Sequence, residues 1–115
     1  MKRSVLLVLS LLLTVAQADG QTQPAMPEDG AAFGAYCGDA AHFAPCEQAV
    51  LDVNGAKYIR RVSGYPDCAI MVQDKASIHQ AVRRVLSWMA SHPPAEPVAR
   101  DTAIVNALNR SLALC

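Results

Sequence analysis

No Cys-x-x-Cys pair occurs anywhere in the chain, and His42, His79 and His92 do not supply the paired Cys and His spacings of a zinc site. The first absence excludes a thioredoxin-type redox motif, and the second a sequence-legible zinc centre. No segment alternates apolar and polar residues long enough to read as a half-buried strand. Neither an internal repeat nor a low-complexity tract is present. Between Asp19 and Ala56 there is no Lys or Arg. After Val15 no second long apolar run follows, so nothing beyond the N-terminus reads as a membrane span.

What is present begins with an export signal. Lys2 and Arg3 precede an apolar run from Val5 to Val15, broken only by Ser10 and Thr14, and Ala16-Gln17-Ala18 supplies a small-x-small cleavage site. Residues 1–18 are therefore expected to be removed after Ala18. No cysteine stands at that cut, so a lipid-anchored form is not expected. Cleavage leaves 115 − 18 = 97 residues, one small domain, expected in the periplasm and free of the membrane.

The signal carries two of the ten basic residues, so the mature chain holds eight Lys and Arg against ten Asp and Glu, a net of −2. Six acids (Asp19, Glu28, Asp29, Asp39, Glu47, Asp52) fall before Lys57, whereas eight basic residues and four acids follow from there on. Such a dipolar chain suits a protein partner, and it is too weakly basic for nucleic acid.

Cys37, Cys46, Cys68 and Cys115 all lie beyond the expected cut, an even set delivered to an oxidising compartment. Two structural disulfides are expected. Four cysteines allow three pairings; the one preferred is Cys46 with Cys68 and Cys37 with Cys115, which would tie the first helix to the last. No metal and no cofactor is expected.

Helical periodicity covers most of the mature chain. Residues 19–29 read as a polar, flexible N-terminus. Asp29 is placed to cap a glycine-interrupted helix reaching Ala41. A second helix takes Pro45 in its first turn, with Cys46, Ala49, Val50, Val53 and Ala56 at helical spacing. Val62 to Asp67 is a turn by composition. In the third helix, Ser77-Ile78-His79-Gln80 reads as a capping box, with Ile78, Val82, Val85, Leu86, Trp88 and Met89 on the apolar face and Arg83, Arg84, Ser87 and Ser91 opposite. Pro93-Pro94 stops it after His92. A fourth helix is expected from Pro97, with Val98, Val105, Leu108, Leu112 and Cys115 on its buried stripe. The expected architecture is all-α: a small disulfide-stapled bundle of about four helices over residues 30–115.

Catalytic constellations are thin. The histidines read as packing or helix-end residues, and no Ser or Cys nucleophile is visibly paired with His42. Glu28 and Asp29 sit in the N-terminal arm, where nothing holds them in catalytic geometry. The chain is not expected to be an enzyme. Arg60, Arg61, Arg83 and Arg84 form a candidate docking patch, and Tyr65 marks the tip of a turn that could project toward a partner.

In the C-terminal half, Cys68 is followed by Ser77-x-x-Gln80 opening an apolar helix that ends in His92-Pro93. An Ala- and Leu-rich segment (Ala99, Ala103, Ile104, Val105, Ala107, Leu108) then runs to Cys115. With Cys37 and Cys46 in order before them, these parts resemble the Rap/Tai immunity proteins, periplasmic antidotes to type VI secretion amidase toxins. The chain departs from that pattern between Glu47 and Gly55, at Ala69, and at Ala113-Leu114. The resemblance implies a non-catalytic partner of a cell-wall amidase toxin, with a homodimer as one expected form, and it carries over no toxin-contacting residue. Two segments are expected to project toward such a partner: the Arg60–Asp67 turn, with Arg60, Arg61 and Tyr65 as candidate contacts, and the Pro93–Pro97 connection. The alternative is a small periplasmic chaperone or stress protein of the acid-stress helical type, which the two expected disulfides oppose because they resist loosening.

Overall fold

The computed structural model describes residues 25–111. The expected signal and its cleavage site, residues 19–24 of the arm, Leu112 and Cys115 lie outside them. Four helices are present: α1 (Gly30–Tyr36), α2 (Phe43–Val62), α3 (Lys75–Ser91) and α4 (Arg100–Ser111), with a 3-10 turn over Ala40–His42. No strand occurs among the described residues, so the fold is the small all-α bundle expected.

Phe33, Cys46, Val50, Val82, Val85, Ile104 and Leu108 are the largest fully buried side chains, drawn from all four helices. Burying one such side chain stabilises the fold by about 1.5–3 kcal/mol, so these residues specify how the helices meet. On α3, Val82, Val85, Leu86 and Met89 are buried while Arg83, Arg84 and Ser87 face solvent, as the periodicity predicts. Trp88, expected in the core, is half-buried at its edge.

The helix starts follow local chemistry. Asp29 caps α1, its carboxylate accepting from the Ala32 N–H at 2.9 Å. The helix is shorter than expected, ending at Tyr36. Asp39 then accepts from the Ala41 N–H at 2.9 Å and starts the 3-10 turn instead. The cap of α3 is Asp74, not Ser77: its carboxylate accepts from both the N–H and the hydroxyl of Ser77. These two hydrogen bonds, the backbone one first, hold the Asp74 carboxyl below its ordinary value.

α4 also departs from expectation. It begins at Arg100 rather than near Pro97, because Val98 to Arg100 pair with the segment before α1. Gly30 N–H donates to the Val98 carbonyl at 2.8 Å, Arg100 N–H donates to the Glu28 carbonyl at 2.6 Å, and Asp29 and Ala99 form an isolated bridge. The arm expected to be flexible to residue 29 is thus anchored over its last residues. The buried face of α4 is Ala103, Ile104, Ala107 and Leu108, with Val98 and Val105 only half-buried. Small residues there admit a close approach: a Cβ on Gly30 would lie 2.7 Å from that of Ala103.

The preferred disulfide pairing is overturned. Cys37 is bonded to Cys46, with Cα atoms 5.9 Å apart, because the 3-10 turn folds the end of α1 back onto the first turn of α2. Cys68 is also disulfide-bonded, and no described cysteine is free.

Between α2 and α3 the chain has no regular structure, yet Cys68, Ala69 and Ile70 are buried. Asn54 holds them. Its side-chain oxygen accepts from the Ile70 N–H at 2.6 Å and its amide donates to the Ile70 carbonyl at 3.2 Å.

Candidate functional site

Lys57 is the last buried residue of α2, and the helix continues for more than a turn beyond it. Ile59 and Val62 fall on the far side of the helical wheel from Cys46 and Val50. They are 64% and 60% exposed, the two most exposed large apolar side chains among the described residues.

The helix then stops in a Schellman motif. Gly64 N–H donates to the Arg61 carbonyl at 3.1 Å and Tyr65 N–H to the Arg60 carbonyl at 3.0 Å. Gly64 takes φ +99, where a side chain would be strained and glycine is not. This stop places Tyr65, 53% exposed, back over the last turn of its own helix. The Arg60 guanidinium lies 4.3 Å from the centre of the Tyr65 ring, and Arg60 Nε donates to the Asp67 carboxylate at 2.9 Å.

Asp67 gathers three cations. Besides Arg60, Lys57 Nζ stands 4.0 Å from the same carboxylate oxygen, and Arg61 Nη1 donates to the Asp67 carbonyl at 3.2 Å. Arg60 is half-exposed, so solvent screens this pair and it adds little stability. Its effect is geometric: the series Asp67, Arg60, Tyr65 presents the aromatic ring in one place.

The structure therefore brings together the three contact residues expected from sequence, Arg60, Arg61 and Tyr65. Sequence reasoning missed Ile59, Val62 and the organising Asp67. Position on the helical wheel was the available signal for the first two; nothing local marked the third. The other two arginines of the expected patch belong elsewhere. Arg83 lies 4.8 Å over the ring of Phe43 at the start of α2. Arg60 is 60 − 43 = 17 residues further along that helix, about 25 Å at 1.5 Å per residue.

The histidines join packing contacts. His42 stacks on Tyr36 at 3.9 Å, His92 stacks on Trp88 at 4.4 Å, and His79 contacts both the Glu47 carboxylate and the edge of Phe43. Among the described residues, no group of three or more His, Cys, Asp or Glu is placed to hold a metal ion, and no helix is long and apolar enough to cross a membrane.

On one helix end a tyrosine and two arginines, residue types enriched in protein-binding hot spots, stand beside two exposed β-branched side chains. This surface offers apolar anchors with a cationic surround, and it is held in place before any partner arrives. The sequence matches no protein-family model, and neither a curated protein nor a solved structure is significantly similar to it.

Proposed function

We propose that the mature chain is a periplasmic, non-catalytic immunity protein that binds a type VI secreted peptidoglycan amidase and occludes its active site. The observation that carries this reading is the preorganised end of α2, where Ile59, Val62 and Tyr65 are exposed together and the Asp67–Arg60–Tyr65 series fixes the ring. A surface ordered in advance loses less conformational entropy on binding. The Asn54 clasp serves the same end by holding the loop that carries Asp67 against α2. The export signal and the four-cysteine resemblance supply the compartment and the class of partner.

The test titrates oxidised mature protein into the amidase encoded nearest to its gene, with a peptidoglycan peptide as substrate. The expected result is stoichiometric inhibition at nanomolar concentration, an affinity of roughly −12 kcal/mol. Undiminished cleavage at molar excess removes the reading. Suppression of client aggregation at low pH by the same preparation would instead assign the exposed apolar end of α2 to a chaperone.

A further inference from the structure

Trp88, the only tryptophan in the chain, stands between two hollows. One is a pocket of about 170 Å³ shared by α3 and α4, lined by Met89, Val98 and Ala103 together with Asn106 and Arg110. The other is an open depression of about 500 Å³ lined by Gln80, Arg83, Arg84 and Ser87. Among the described residues no Asp or Glu lines either hollow, whereas three arginines do. The groove between α2 and α4 is a useful contrast, since Asp52 and Asp101 stand there beside Lys57 and Arg100.

The Trp88 face is thus cationic in a mature chain whose net charge is −2. Neither Arg84 nor Arg110 takes part in a salt bridge among the described residues. Asn106 and Arg110 are four residues apart on α4 and so share a face. The indole is held by its stack on His92, whose Nδ1 lies 2.9 Å from the Trp88 carbonyl. A space near 150 Å³ accommodates a benzene-sized group, so the smaller hollow fits one branched or aromatic side chain.

We propose that this face binds an acidic peptide segment of a partner protein, one apolar side chain entering the pocket beside Trp88 while carboxylates before and after it meet Arg110 and Arg84. Arginine and carboxylate pair through charge-assisted, often bidentate hydrogen bonds, and a tryptophan between arginines is the composition of an interface anchor. The same groups would suit a single-stranded nucleic acid, but such sites offer successive aromatic platforms along a basic groove, whereas Trp88 and the His92 stacked on it are the aromatic residues lining these hollows. The site is separate from the end of α2 and stands without the amidase reading.

The experiment titrates the oxidised mature protein against a fluorescein-labelled, amidated Asp-Glu-Leu-Glu-Asp peptide by anisotropy, with Trp88 emission followed against the unlabelled peptide. Saturable binding that weakens with salt and shifts Trp88 emission is expected. Arg84→Gln and Arg110→Gln, both at exposed positions, should each weaken it about tenfold, and Lys75→Gln, an exposed cation that lines neither hollow, should leave it unchanged. Replacing the peptide's leucine by glycine should also weaken binding. The proposal is overturned by an absence of saturable binding up to about 1 mM, by equal affinity for an Asn-Gln-Leu-Gln-Asn peptide, or by arginine variants that bind as the parent does. Tighter binding of a labelled oligothymidine would overturn it in favour of nucleic acid.

Discussion

Replacing Asn54 by alanine should be among the most damaging single changes to a polar side chain in this protein. Asn54 is 8% exposed and Ile70 3%, and the asparagine side chain satisfies both backbone groups of Ile70 at once. Alanine leaves a buried N–H and a buried C=O without a partner, each worth about 1–3 kcal/mol. The space vacated is close to that of one water, which could enter and rescue part of the loss, so the net cost should be about 2–4 kcal/mol. For a domain of this size that lowers Tm by at least roughly 8 °C. Urea denaturation of the oxidised protein measures it, with the m-value unchanged. Hydrogen exchange at the Ile70 amide reports the same contact locally. Asn54→Asp sharpens the test. Its carboxylate keeps the acceptor for Ile70 N–H but sets negative charge against the Ile70 carbonyl, so its folded-state pKa must rise above the ordinary value near 3.9. The folded state then binds more protons than the unfolded one, and stability falls as pH rises between the two values. The aspartate variant should therefore regain stability on acidification relative to the alanine variant. A loss under about 0.5 kcal/mol for Asn54→Ala, the range of an ordinary surface change, would refute the clasp.

Four shorter tests follow from other contacts. Alkylation under denaturing, non-reducing conditions should find no free thiol, and peptide mapping should recover Cys37 linked to Cys46; replacing both by serine should cost roughly 2–3 kcal/mol for a loop of nine residues' separation. Asp74→Ala should lower Tm at neutral pH, and because that carboxyl is held below its ordinary 3.8, its contribution is present above that value and lost as pH falls through the folded one; the gap between the two proteins should narrow in acid melts. Gly30→Ala should destabilise rather than help α1, since the new methyl would meet Ala103 at 2.7 Å; a raised Tm would show that contact to be loose. Tyr65→Ala should speed dissociation of the proposed amidase complex in surface-binding kinetics, and Asp67→Asn, which releases Arg60 from the ring, should do so more weakly.

Much of this fold was legible because α3 carries a sustained apolar period: Val82, Val85, Leu86 and Met89 recur at spacings only a helix can bury together. What was misread depended on contacts remote in sequence or on degenerate local patterns. Ser77-x-x-Gln80 satisfies the capping-box rule, but Asp74, a preferred N-cap residue in its own right, stands three residues earlier, and the structure uses the aspartate. Asn54 stands outside the apolar stripe read in α2, and nothing near it in sequence shows that Ile70, 16 residues away, takes both its hydrogen bonds. The start of α4 was set by backbone pairing with residues 28–30, across most of the chain. At the end of α2, Gly64 and Tyr65 announce a turn by composition. The helical wheel sets Ile59 and Val62 opposite Cys46 and Val50, but their exposure also depends on no other element covering them, which local sequence does not encode.

The pairing of Cys37 with Cys46 bears on how such a chain would acquire its covalent bonds. In a protein threaded out N-terminus first, as proposed, these two thiols arrive together, and a short loop between them closes in about 10–100 ns. Cys68 trails Cys46 by 22 residues, about 1–4 s at ordinary rates of chain elongation. Formation of the bond itself is the slow step, set by the oxidant; an oxidase that acts within that interval makes the native link before the competing thiol is outside the membrane. Maturation then needs an oxidant but no isomerase, and a periplasm lacking disulfide-shuffling activity should still yield the correctly bonded protein.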